Sequence, residues 1–361
     1  MSEGLSKKLS LYNFIFTIGI VIYHCKNFNA LYSSSVNGFL NKMYGLYDLI
    51  GLVSMGFFFM VSAYLFYLGI NSNADLYKKM KKRVITLGIP FLTWNVIILL
   101  YNIFYGIVKG TLSLGFTDFI LGFTFQPFDG PLWYIFALLL LMLFAPLIYK
   151  LKNHPKVFLG IIIGALVGGS LCKSLVTSDN EAIQWATRLI GYVPIYLFGA
   201  YFGLCKNEFV SKEKYNYKLV AIISASISVE IIVYFMLLKQ DISVLNYILQ
   251  LVLPITIWLS TYNSMYEKIK IRYPLKVTFF VYALHMLLIG IFNTLLTKAI
   301  GYNSLNPAIS FFAHFVFVAI LYFVCLAVAY ISGKFLPSKF YFALSGGRVE
   351  GGRAAKGTAK Q

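Results

Sequence analysis

Residues 46–108 read LYDLIGLVSMGFFFMVSAYLFYLG, then INSNADLYKKMKKR, then VITLGIPFLTWNVIILLYNIFYGIV. Two apolar runs of 24 and 25 residues flank a polar segment that closes on five basic side chains. Each run exceeds the roughly 20 residues that an α-helix needs to cross a bilayer. The stretch therefore reads as two membrane helices joined by a basic turn. The composition extends this reading to the whole chain. Of 361 residues, 59% are hydrophobic and 12% charged, and the mean hydropathy is +0.75. A soluble domain carries about 25% charged residues. Disorder, a coiled coil, collagen and a secreted disulfide scaffold are excluded; the composition points to an all-α polytopic membrane protein.

Ten stretches qualify as spans: 9–28, 46–69, 84–108, 131–150, 157–174, 188–205, 217–238, 243–262, 276–297 and 307–333. Residues 111–126 are apolar but short, and read as an outer re-entrant or interfacial segment, with a full span as the lesser option. If the N-terminus is cytoplasmic, 24 Lys and Arg fall in inner segments and seven in outer ones, while the acids divide six and six. Positive residues favour the cytoplasm and acids matter little, so the asymmetry supports ten helices with both termini cytoplasmic. The first run is long and lacks a small-residue cleavage site, so it reads as a retained helix. The net charge of +18 would point to nucleic acid in a soluble protein. Here the basic residues lie between apolar runs and no binding motif accompanies them, so no nucleic acid is expected. Residues 1–340 read as one domain, and 341–361 as a cytoplasmic, disordered tail. Gly160, Gly164 and Gly168 repeat every four residues, which predicts a bare face where a neighbouring helix approaches.

Polar residues inside spans usually face the interior of a bundle. In the first helix, Asn13, Thr17 and His24 fall on one stripe to within about 20°, with Asn13 about 16 Å nearer the cytoplasm than His24. His24 reads either as a general base at the outer mouth of a cavity or as an interfacial histidine closing a helix. His285 lies mid-span beside Tyr282; it either orients a substrate or partner residue, or bonds between helices. Glu230 is the one acid within the seventh stretch. The turn YKKMKKR reads as an anchor on acidic lipid head groups or as a dock for a polyanion such as the phosphates of coenzyme A. Trp133 and Tyr134, in GPLWY, stand where the chain enters the fourth helix and read as sugar-stacking or as interface anchors. Neither the four cysteines nor the four histidines show metal-ligand spacing, so no metal is expected.

Several fragments, in order, resemble the membrane acyltransferase-3 family, the ten-helix O-acyltransferases of surface polysaccharides. They are IVIYHC ending the first helix, FFFMVSAYLFYLG, RVITLGIPFLTWN, GPLWYIFALLLLMLFAPLIYKL, VPIYLFGAYFG, FFVYALHMLLI and FALSGGR. The resemblance covers most of residues 8–348. It implies transfer of an acyl group, commonly acetyl from cytoplasmic acetyl-CoA, to a hydroxyl of a glycan or lipid-linked sugar beyond the membrane. It implies a bacterial inner membrane, with acyl-CoA as co-substrate and no bound cofactor. The helix-one histidine tied to catalysis maps to His24, and the donor-binding arginine maps to Arg83.

The sequence also departs from the family. Asn13 stands where the family has arginine, Thr86 replaces the second arginine of the cytoplasmic pair, and Ala63 replaces the glycine of Ser-Gly. Lys79 and Lys82 are the candidates to supply the missing donor-site charge, as point charges rather than forks. Asn13, Thr17, Trp133, Tyr134 and His285 are the candidate cavity and acceptor-lining residues. Ten helices with a polar stripe also permit a transporter or flippase of a glycan precursor, against which there is no duplicated half. The missing arginines permit a non-catalytic scaffold of a polysaccharide synthesis complex.

Overall fold

The structure, a computed structural model, describes residues 2–26, 28, 38–176, 180–206, 226, 229 and 243–347. The described residues are helical with no strand. That is what hydrocarbon imposes, because a helix satisfies its backbone N–H and C=O groups within one segment. The helices are α1 (Glu3–His24), α2 (Gly38–Tyr67), α3 (Asn73–Arg83), α4 (Ile89–Lys109), α5 (Phe116–Gly122), α6 (Trp133–Leu143) and α7 (Ala145–Lys150). They continue as α8 (Pro155–Leu175), α9 (Glu181–Cys205), α10 (Ser243–Leu259), α11 (Thr278–Ile300), α12 (Pro307–Phe335) and α13 (Ser338–Ser345).

Among the described residues, seven helices are long and apolar enough to cross a membrane, or eight if the broken pair α6 and α7 is one span. The chain is a multi-pass membrane protein. These eight coincide with eight of the stretches read from the sequence. The stretch 243–262 holds α10, of 17 residues. The stretch 217–238, Glu230 with it, lies outside the described residues, as does the tail from 348. Of residues 111–126 only the seven of α5 form a helix, too few to span. The basic turn is not a loop. Ser72 and Asp75 cap one another's ends, with Ser72 Oγ accepting from Asp75 N at 3.1 Å and Asp75 Oδ2 accepting from Ser72 N at 3.1 Å. This starts α3, which runs through a π-helical turn, Val84–Gly88, into α4.

The helices gather into two compact units. The first comprises Met1–Tyr23, Asn37–Tyr77 and Phe144–Ile271. Its centre is aromatic: Phe16 stacks on Phe57 at 4.1 Å, and Tyr12 meets Phe57 and Trp258 edge-on. Lys8, one of the basic residues of the inner segments, is 1% exposed. Its Nζ donates to the carbonyls of Trp258 and Thr261 at 2.6 and 2.7 Å, at and just past the end of α10. The ammonium also sits 4.4 Å above the Trp258 ring. A helix C-terminus leaves carbonyls without intrahelical partners, and here a lysine from another helix supplies the donor. The second unit comprises His24–Val36, Lys78–Leu143 and Arg272–Gln361. In it Trp94 Nε1 donates to Leu344 O at 3.0 Å, and Phe280 meets Trp94 edge-on, tying α13 and α11 to α4. Residues 341–345, assigned to the tail from sequence, are therefore part of the fold. Tyr341 and Leu344 are buried there, because the apolar side of α13 has Trp94 and Phe280 to pack on.

A small-residue contact among the described residues falls on α9. No described residue lies within 4 Å of where a Cβ would stand on Gly160, Gly164 or Gly168, and all three are exposed. Close approach occurs instead at Gly199 and Gly203 of α9, four residues apart, against α2. A Cβ on Gly199 would overlap the Met60 carbonyl, and one on Gly203 would stand 2.8 Å from the Tyr64 carbonyl. Three glycines on α8 offer a bare face to the described residues, and two on α9 meet a backbone. Gly199→Ala is expected to cost about 1–3 kcal/mol by overpacking. Gly164→Ala is expected to be neutral or to gain up to about 1 kcal/mol of helix propensity. Thermal unfolding of the two detergent-solubilised variants beside wild type checks the contrast.

Candidate active site

The site lies within the second unit. The α1 helix ends at His24, and the chain turns at Cys25 and Lys26. The Phe28 amide donates back to the Cys25 carbonyl at 2.9 Å, and the Phe28 ring stacks on Phe317 of α12 at 5.1 Å. That stack fixes where the first helix stops. The His24 ring then lies 5.1 Å from the His285 ring, inclined by 50°.

His285 is fully buried on α11. Its Nδ1 lies 2.7 Å from the Tyr282 carbonyl, one turn back. A carbonyl only accepts, so Nδ1 carries the hydrogen and donates. Nε2 is thereby left as the lone-pair nitrogen; it is buried and has no protein partner among the described residues. An acceptor nitrogen held rigidly beside His24 can orient a donor, either the His24 ring or a substrate hydroxyl.

Tyr282 connects this pair to the entry of α6. Its phenol donates to the Pro131 carbonyl, and its ring meets Tyr134 edge-on at 6.3 Å. The residues just before, Asp129 and Gly130, lead into a single 3-10 turn, Gly130–Leu132, where Pro131 sets the backbone for a helix start. Asn95 of α4 lies beneath it. Asn95 Nδ2 donates to the Phe91 carbonyl at 2.8 Å, and its Oδ1 accepts from the Asp129 amide at 3.3 Å. Asp129 is 1% exposed, and neither carboxyl oxygen has a protein donor among the described residues. Burial pushes its carboxyl well above the usual carboxylate range.

His24, His285 and Tyr134 thus come together in this unit, and half-buried Trp133 stands beside Tyr134 at the start of α6. Asn13 and Thr17 belong to the first unit, Thr17 buried at 2% and Asn13 half-buried. In the basic helix, Lys79 and Arg83 lie four residues apart and are half-buried, whereas Lys82 is exposed. The structure therefore separates the three donor-site candidates: two share an inward side of α3 and Lys82 does not. Sequence reasoning passed over Asn95 and Asp129. The available signal was Asp129 itself, an acid set directly before GPLWY at the edge of an apolar run.

The family model described as an acyltransferase domain matches residues 13–333, so the chain belongs to the acyltransferase-3 family. The match runs across both units and includes every candidate residue named above. No curated protein and no solved structure matches the chain. The bond to Tyr282 makes a spectroscopic prediction: in histidine-labelled protein, nitrogen NMR places the His285 hydrogen on Nδ1. His24→Ala identifies signals affected by the neighbouring ring, and His285→Gln identifies the resonance by its loss.

Proposed function

We propose that the chain is a membrane O-acyltransferase. It moves an acyl group such as acetyl from cytoplasmic acyl-CoA to a hydroxyl of a glycan or lipid-linked sugar across the membrane. The observation that carries the reading is the pairing of His24 with His285 in a chain of the acyltransferase-3 family. In this scheme a His24 ring nitrogen takes the proton of the acceptor hydroxyl as its oxygen attacks the thioester carbonyl carbon. The carbonyl re-forms as the carbon–sulfur bond breaks, and coenzyme A leaves with the proton returned from the imidazolium. His285 packs beside the His24 ring and limits its orientation, and its open Nε2 is left to accept from a substrate hydroxyl. Trp133 and Tyr134 offer flat apolar faces to a sugar. Arg83 and Lys79, together on one side of α3, hold the phosphates of the donor, Arg83 by a fork that Lys79 lacks.

The positive-inside asymmetry supports cytoplasmic termini and a donor that arrives from the same side as α3. The proposed location is a bacterial inner membrane, where a glycan precursor and acyl-CoA meet on opposite faces of one bilayer. Asn13, in place of the family's arginine, donates a hydrogen bond but brings no positive charge.

Two measurements test the scheme. Ester content of surface glycans, compared by mass spectrometry between wild type and His24→Ala, is expected to fall by about 10²–10⁴ in transfer rate. Equal ester in both strains removes His24 from the mechanism. In purified protein, Arg83→Gln is expected to raise the KM for acyl-CoA about tenfold or more, the loss of a charge-assisted hydrogen bond. Lys82→Gln, on the exposed side of α3, is expected to leave that KM within about twofold.

A further inference from the structure

Asp129 occupies the N-cap of the turn that opens α6, a position aspartate favours because its carboxylate accepts the free amides of the first turn. Here it makes no such bond. Its amide is held by Asn95 Oδ1, so the backbone is fixed, and Asn95 spends its own Nδ2 on the Phe91 carbonyl. The neighbouring polar groups are committed elsewhere as well. The Tyr282 phenol donates to Pro131, two residues from Asp129, and the His285 Nδ1 donates to Tyr282. Both Asp129 oxygens are thus buried without a protein donor, two residues before the Pro131 carbonyl that holds the Tyr282 phenol. An unsatisfied buried polar group destabilises a fold, more so if charged. A fold that needed only packing at this point would be better served by leucine.

The structure assigns Asp129 as an acceptor-binding residue: we infer that its carboxyl group exchanges hydrogen bonds with a hydroxyl of the acceptor adjacent to the one that is acylated. The inference rests on the proposed acyltransferase reading. A neutral carboxyl offers one donor and a carbonyl acceptor, and a hydroxyl answers both. A sugar also presents neighbouring hydroxyls at fixed separation, so one can be held while the next meets His24. The flanking groups Tyr134, Tyr282 and Asn95 are uncharged and suit a polyol better than an anion.

The test uses the full-length protein. Asp129→Leu and Asp129→Asn replace the chromosomal copy in the native host, and ester content of surface glycans is measured beside wild type and His24→Ala. The same proteins, purified in detergent, are unfolded thermally. Asp129→Leu is expected to lose about tenfold or more of the ester, as sites built to bind a hydroxyl do when the partner is missing. Its Tm is expected to stay within about 2 °C of wild type or to rise, because an unsatisfied group has been removed. Asp129→Asn keeps one acceptor and one donor, and is expected to retain more ester than Asp129→Leu. Full ester in Asp129→Leu overturns the inference. So does a lost ester accompanied by a lowered Tm in both variants, which marks a structural role. If wild type forms no more ester than His24→Ala, the acyltransferase scheme falls, and this inference with it. If wild type is active and only the Asp129 variants behave like it, the scheme stands and this inference alone is wrong.

Discussion

Hydrocarbon offers no hydrogen-bond partner, so each polar group placed in this chain's apolar body must find one within the chain. The backbone meets that condition by being helical. The side chains meet it one at a time. Lys8 is buried because two carbonyls at the end of α10 need a donor. Asn95 bonds backward along its own helix and forward to the start of α6. Trp94 reaches Leu344 and brings α13 into the fold. Each bond lets a polar atom be buried, and each also fixes one helix against another.

Where that condition is left unmet, chemistry becomes available. His285 satisfies one ring nitrogen on its own helix and leaves the other turned out beside His24. Asp129 has its backbone fastened and its carboxyl left open. Both belong to a single cluster spanned by Tyr282, whose carbonyl holds His285 and whose phenol holds the approach to α6. A rigid frame with unspent polar atoms binds a polar ligand with little reorganisation.

Much of the fold was legible because span length and hydropathy are local properties. The two runs flanking residues 70–83 announce themselves, and so does the basic turn between them, although its helical state needed the Ser72–Asp75 cap to be recognised as a helix start. What could not be read was pairing. Gly160, Gly164 and Gly168 share a spacing with Gly199 and Gly203, and the spacing does not say which backbone each will meet; Gly199 and Gly203 meet α2. Lys8 looked like a surface charge because charge is visible in sequence and a distant helix end is not. In the site, the two histidines were visible singly and their 5.1 Å meeting was not. Asp129 was hidden by its company: beside Pro131 and Trp133 it passed for part of an entry turn.

The π-helical turn at Val84–Gly88 makes the basic helix and α4 one uninterrupted rod. Arg83 and Asn95 are twelve residues apart along it, a rise of about 18 Å. The hydrocarbon layer is about 30 Å thick. A rod of this kind works as a ruler, with Arg83 at one graduation and the Asn95 amide that fastens Asp129 at another. An arm of about 18 Å, roughly three-fifths of a bilayer's depth, spans the two levels.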